Sequence, residues 1–257
     1  MVGISLFFLS SLLVLLAVVA AGRDFIIQDP EDIFAIAGQI AEYADERLQA
    51  ATRGEALPDP PRIYADEGAL RIALGFTVLF QVVTIGAVLL ITGRSPGELI
   101  QVFRMDQFRT RHLLRPAVAT IVAYAGVITY AVVVEALGWD VLVPDSTIPA
   151  AVTRDAIALI LTGLAAVILA PLSEELLYRG LIMGGLLKWG FLPAAVISSA
   201  VFAGVHLDVG SLIPFFGVGM VLAWLFWSGG RLWDAVLFHF FFNGISYLIL
   251  VSMGGQV

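Results

Sequence analysis

The stretch that decides the fold is AIALILTGLAAVILAPLSEELLYRGLIMGGLLKW, residues 156–189, an apolar run interrupted by Pro171 and a charged cluster. A helix needs roughly 20 mostly apolar residues to cross a bilayer core about 30 Å thick, because backbone groups in lipid must be paired internally. This run exceeds that length. It therefore predicts membrane-embedded helical structure that carries Glu174, Glu175 and Arg179 in its interior.

Six further runs have the composition of membrane helices. They are residues 3–22, 69–92, 113–138, 191–206, 211–228 and 232–253. The runs before and after position 206 have only 16 and 18 residues, so we expect that one of them does not cross the bilayer fully. The sequence predicts an all-α, polytopic integral membrane bundle of about seven transmembrane helices, located in the cytoplasmic membrane if the host is prokaryotic.

The composition excludes several classes of protein. Of the 257 residues, 60% are hydrophobic and 14% are charged, which is incompatible with a water-soluble globular enzyme. The chain has no Cys, so thiol nucleophiles and thiolate zinc sites are excluded. Its net charge of -7 argues against a nucleic-acid partner, since phosphate binding needs clustered Lys and Arg.

The chain divides into four regions. We expect an N-terminal transmembrane anchor at 1–22, an acidic extramembrane segment with an amphipathic helix at 23–68, and transmembrane helices of unassigned role at 69–150. The motifs described below and the family that they resemble imply a catalytic membrane core at 151–257. Region 1–22 resembles a cleaved signal peptide only loosely. The positive-inside rule places the connection between the second and third spans in the cytoplasm. Its arginines are Arg94, Arg104, Arg109, Arg111 and Arg115.

The two adjacent glutamates are expected to differ in role. An ionisable group inside a bilayer costs at least about 2.5–3.5 kcal/mol, so such groups usually face the protein interior and serve function. Glu175 and Arg179 are spaced i, i+4 with the acid first, the favoured order for an ion pair. Glu174 is rotated by about 100° from Glu175 around the helix axis, so it is left without the arginine partner. It is therefore the candidate general base. Alternatively, Pro171 and Ser173 start a new helix whose first turn favours acids.

Two of the three histidines lie in apolar runs. His239 and Asn243 are spaced i, i+4, so their N–H groups can converge on one oxygen atom, as an oxyanion hole requires. His206 ends the sequence Phe202-Ala203-Gly204-Val205-His206. The alternative is that His206 is a structural residue and that His239 and Asn243 only tie two helices together.

In this order, the motifs Glu-Glu-x-x-x-Arg, Phe-x-x-x-His and His-x-x-x-Asn resemble those of the CPBP family, the CAAX-protease and bacteriocin-processing group also called ABI. The resemblance covers roughly residues 156–250. It implies an intramembrane endopeptidase similar to the type 2 CAAX prenyl endopeptidases, which remove the tripeptide from prenylated proteins. By motif position, Glu174 and His206 activate water, and His239 with Asn243 stabilises the oxyanion. Supporting residues are Glu175, Arg179 and Phe202.

We therefore expect hydrolysis of a membrane-anchored protein or peptide in the bilayer, without a cofactor. A zinc-dependent version of this protease, with Glu174, His206 and His239 as ligands, is an alternative, although the zinc-protease pattern His-Glu-x-x-His is absent. Two other classes remain open. One is a non-enzymatic membrane scaffold or immunity protein, and the other is an ion transporter that uses the intramembrane acids and histidines as a relay.

Overall fold

A computed structural model describes residues 67–144, 150–206 and 208–253, together with positions 42, 46, 49, 50 and 53. The expected anchor at 1–22 and most of the acidic segment at 23–68 lie outside the described residues. The described residues form seven helices of at least seven residues, besides short 3-10 helices at Met105–Gln107, Thr110–Leu113, Asp140–Leu142 and Ala150–Arg154. The seven helices are α1 (Glu67–Thr92), α2 (Pro96–Val102), α3 (Leu114–Ala136), α4 (Ala156–Trp189), α5 (Phe191–Gly204), α6 (Leu212–Gly229) and α7 (Leu232–Met253).

Five of the described helices, α1, α3, α4, α6 and α7, are long and apolar enough to cross a membrane. This confirms the prediction of an integral membrane helix bundle. Helix α5 has 14 residues, which at 1.5 Å per residue span about 21 Å, less than the bilayer core. This agrees with the expectation that one of the two runs beside position 206 does not cross fully.

Helix α4 begins at an aspartate cap. The side chain of Asp155 accepts a hydrogen bond from the backbone N–H of Ala158 at 2.7 Å and a second from Nε of Arg71 at 2.9 Å. The hydrogen bond from Arg71, followed by that from Ala158, lowers the pKa of the Asp155 carboxyl. These contacts fix the start of α4 against α1.

Helix α4 then continues through Pro171 without a break. The alternative in which a new helix starts at Pro171 and Ser173 therefore does not apply, and both glutamates lie near the middle of a membrane-length helix. Helix α4 packs against α1, α5 and α7, while α6 packs against α3, α5 and α7. Charged side chains at the centre of α4 are consequently enclosed by neighbouring helices instead of facing lipid.

Candidate active site

The local winding of α4 changes on both sides of the glutamates. A short α-helical stretch, Ala170–Glu175, lies between two π-helical segments, Gly163–Leu169 and Leu176–Met183. Such π-helical segments are rare and occur frequently at functional sites. They rotate the side chains of the central stretch relative to both ends of the helix.

Glu175 and Arg179 form the ion pair that their spacing predicts. Arg179 Nη1 donates to Glu175 Oε1 at 2.9 Å, and both side chains are fully buried. Arg179 Nη2 also donates to the backbone carbonyl of Gly219 on α6 at 3.1 Å. The same carboxylate oxygen accepts a hydrogen bond from Nδ1 of His239 at 3.0 Å. Glu175 therefore links α4 to α7 and fixes the orientation of the His239 ring.

Glu174 has a different environment from that of its neighbour. Its side chain is 23% exposed, and its Oε2 atom is enclosed without a hydrogen-bond partner among the described residues. The nearest basic atom given is Nε2 of His239, at 3.9 Å from Oε2. Because Nδ1 of His239 carries the proton donated to Glu175, Nε2 bears a proton only when the ring is positively charged. Glu174 thus keeps a carboxylate oxygen free for a proton.

Phe202 supports both histidines. Nδ1 of His206 donates to the Phe202 carbonyl at 2.7 Å, which leaves Nε2 of His206 as a proton acceptor when the ring is neutral. The centre of the Phe202 ring lies 4.9 Å from that of His206 and 5.8 Å from that of His239, both edge to face. The Arg179 guanidinium lies 4.7 Å from the centre of the same ring. The buried Phe202 ring therefore contacts His206, His239 and Arg179 at once and sets the distances between them.

Glu174 and His206 line the same cavity, which has a volume of about 150 Å³. This volume holds several water molecules, since each needs roughly 10–15 Å³ of accessible volume. The lining comes from α1, α4 and the end of α5. Its residues are Phe80, Gln81, Thr84, Glu174, Leu177, Tyr178, Val205 and His206.

Asn243 makes a contact that the sequence did not predict. Its Nδ2 donates to the backbone carbonyl of Ala166 at 2.8 Å. The preceding π-helical bond joins Ala170 N–H to the carbonyl of Ala165, so the next bond in this register would join position 171 to Ala166. Pro171 has no N–H to donate. Asn243 therefore satisfies a carbonyl that the proline leaves unpaired.

Two polar residues of α1 belong to the site but were not predicted from sequence. Gln81 and Thr84 line the cavity and are 6% and 7% exposed. Their i, i+3 spacing places them on one face of an otherwise apolar run. That pattern was the available signal, although it carries no motif.

The described residues contain no group of three or more His, Asp or Glu side chains arranged to hold a metal ion. Glu174 and His239 lie 3.9 Å apart across the site, and His206 is held by Phe202 on the cavity side. The zinc-dependent version of the reaction stays an alternative prediction.

The fold and the buried polar groups define an integral membrane protein with a cavity beside two adjacent glutamates and two histidines. Residues 156–245 match the family described as type II CAAX prenyl endopeptidase Rce1-like. This match confirms the resemblance of the motifs over that segment of the chain.

One curated relative supports the same assignment. The Bacillus subtilis (strain 168) protein named "Putative membrane peptidase YdiL" is 30% identical over 87 residues, which are 34% of this chain and 35% of that protein. The chain thus aligns with about a third of the relative's length. No solved structure matches the chain at a significant level.

Proposed function

We propose that this protein is an intramembrane endopeptidase that hydrolyses a peptide bond in a membrane-associated substrate. The observation that carries the proposal is that Glu174 and His206 line one cavity inside apolar helices. The match of residues 156–245 to the Rce1-like family also supports it. We further propose a CAAX-type substrate, in which the scissile bond lies near a lipid-modified C-terminus.

Water activation is the first step of the proposed reaction. The free oxygen of Glu174 takes one proton from a water molecule, while Nε2 of His206 accepts a hydrogen bond from the other. The resulting hydroxide attacks the carbonyl carbon and the C=O double bond opens to an oxyanion. The C–N bond then breaks, and the departing nitrogen receives the proton held by Glu174. No covalent bond forms between enzyme and substrate.

The oxyanion requires hydrogen-bond donors on the opposite side of the carbonyl. We assign this role to His239 and Asn243. His239 donates through Nε2 when both ring nitrogens carry a proton. One N–H of Asn243 holds the Ala166 carbonyl, and this bond fixes the amide plane while the second N–H remains for the substrate.

The test uses the purified full chain in liposomes with quenched fluorescent peptides: a farnesylated CAAX peptide, its unmodified counterpart and a transmembrane peptide. We expect cleavage by the wild-type protein and none by Glu174→Gln or His206→Ala. Glu135→Gln is the matched control, because it makes the same change at an exposed position of α3. Full activity of Glu174→Gln, or cleavage of none of the peptides by the wild-type protein, would overturn the proposal.

A further inference from the structure

One wall of the cavity comes from α1, which lies outside the residues that match the protease family. Gln81 is the polar residue of this wall that reaches towards α4. Its side chain is 6% exposed. A buried amide needs hydrogen-bond partners, because an unpaired polar group in an apolar environment is costly.

One of the two polar atoms of the Gln81 amide has a hydrogen-bond partner in the protein. Its Oε1 accepts a hydrogen bond from the hydroxyl of Ser173, the fully buried residue that precedes Glu174. Its Nε2 has no hydrogen-bond partner in the part of the chain that the structure describes. Two N–H donors are therefore available to an occupant of the cavity, and one remains when the Ser173 hydroxyl instead donates to the Ala170 carbonyl, 3.2 Å from its Oγ, and accepts from the amide. In both arrangements Ser173 holds the amide next to Glu174.

Thr84 provides a contrast within the same wall. Its hydroxyl donates to the carbonyl of Phe80 at 2.9 Å, within its own helix. The hydrogen of Thr84 is thus already used, whereas the amide hydrogens of Gln81 are not. The two residues share a helix face, a cavity and nearly equal burial, but only Gln81 has donors to offer.

We propose that Gln81 is a substrate-binding residue whose amide N–H donates to a backbone carbonyl oxygen of the peptide in the cavity. This inference rests on the proposed function and adds a residue to it. An extended peptide that leaves water presents a row of carbonyl acceptors, and each unpaired acceptor opposes entry into the bundle. Gln81 pairs one of them. Ser173 is a positioning residue that sets the direction of the amide.

This role predicts a particular change in the kinetics. A hydrogen bond made equally to the bound substrate and to the transition state affects KM but not kcat. Gln81→Met keeps the length of the side chain and removes both donors. We expect it to raise KM by about three- to tenfold, as one neutral hydrogen bond requires, with kcat changed by less than about twofold. Thr77→Val is the control on the same helix, because Thr77 is exposed, lies outside the cavity lining and also donates its hydroxyl within its own helix; we expect it to leave KM unchanged.

Direct binding separates this inference from the proposed function. In the uncleaving Glu174→Gln protein, the Kd of the fluorescent peptide that the wild-type protein cleaves is measured with and without Gln81→Met. We expect the same three- to tenfold rise in Kd, and a smaller rise for Ser173→Ala. Thermal unfolding of each variant verifies the fold, and Gln81→Leu is the second variant if Gln81→Met unfolds.

An unchanged KM and Kd in a folded Gln81 variant would overturn the inference while leaving the protease proposal intact. So would an equal rise in KM for Thr77→Val, because it would show a general effect of altering α1. Full activity of Glu174→Gln, by contrast, would remove the proposed function itself.

Discussion

Replacing Glu175 with Leu tests whether the buried ion pair holds the core together. The change leaves the fully buried Arg179 with one protein hydrogen bond, to the Gly219 carbonyl at 3.1 Å. Removing one partner of a buried pair costs about 3–5 kcal/mol, because the remaining charge is uncompensated. We therefore expect the free energy of unfolding to fall by that amount.

The double variant Glu175→Leu with Arg179→Met should recover most of this loss. Replacing both charges by apolar groups is often neutral or stabilising, while the Gly219 carbonyl loses a donor at a cost of about 1–3 kcal/mol. Taken together, the double variant should lie within about 1–2 kcal/mol of the wild-type protein. It should remain impaired in proteolysis, because Nδ1 of His239 has lost its acceptor.

The assay is equilibrium unfolding in mixed detergent micelles, followed by tryptophan fluorescence. Glu135→Leu is the control, since it makes the same change at an exposed position of α3, where substitutions usually alter the free energy of unfolding by at most about 0.5 kcal/mol. The reasoning is refuted if Glu175→Leu costs less than about 1 kcal/mol, or if the double variant is as unstable as the single one.

Three further predictions concern other parts of the molecule. Asn243→Leu should lower the free energy of unfolding by about 1–3 kcal/mol, because it leaves the Ala166 carbonyl unpaired. Adding Pro171→Ala should restore at least half of this loss, because it returns a backbone N–H that can donate to the same carbonyl. No recovery of stability in the double variant, measured in the same titration, would contradict this account of the contact. Because the pKa of Asp155 is lowered in the folded protein, its contribution to stability is complete above the ordinary pKa of an aspartate and is lost as the pH falls through the folded value, below about 4. The unfolding midpoint of Asp155→Asn, which keeps an N-cap, should therefore vary less over this range than that of the wild-type protein. Finally, a chelator should leave peptide cleavage unchanged, and a loss of cleavage that zinc restores would identify the zinc-dependent mechanism instead.

Much of the fold could be predicted from the sequence because hydropathy alone determines where a chain can cross a bilayer. The pairing of Glu175 with Arg179 was also predictable, since both residues lie on one helix and helical spacing fixes their relation. The i, i+4 argument placed His239 and Asn243 on one face of α7. Their joint action on one oxyanion stays a prediction, because each side chain also has its own partner on α4.

The contacts that escaped prediction depend on the winding and packing of several helices. The hydrogen bond from Asn243 to the Ala166 carbonyl depends on a π-helical segment and on a proline at the position that would otherwise donate to that carbonyl. Neither feature can be recognised from a sequence motif. Gln81 meets Ser173 across 92 positions of the chain. A single glutamine in an apolar run gives no indication of which neighbour it will contact.

Because α1 contributes to the cavity, the groups proposed to react and part of the surface proposed to bind peptides lie in different segments of the chain. Residues 156–245 supply both groups proposed to activate water, whereas Phe80, Gln81 and Thr84 supply a wall. An excised fragment comprising only the matched segment would lack this wall. Chimeric proteins that exchange α1 between relatives would accordingly retain the hydrolytic step and alter which sequences are cut.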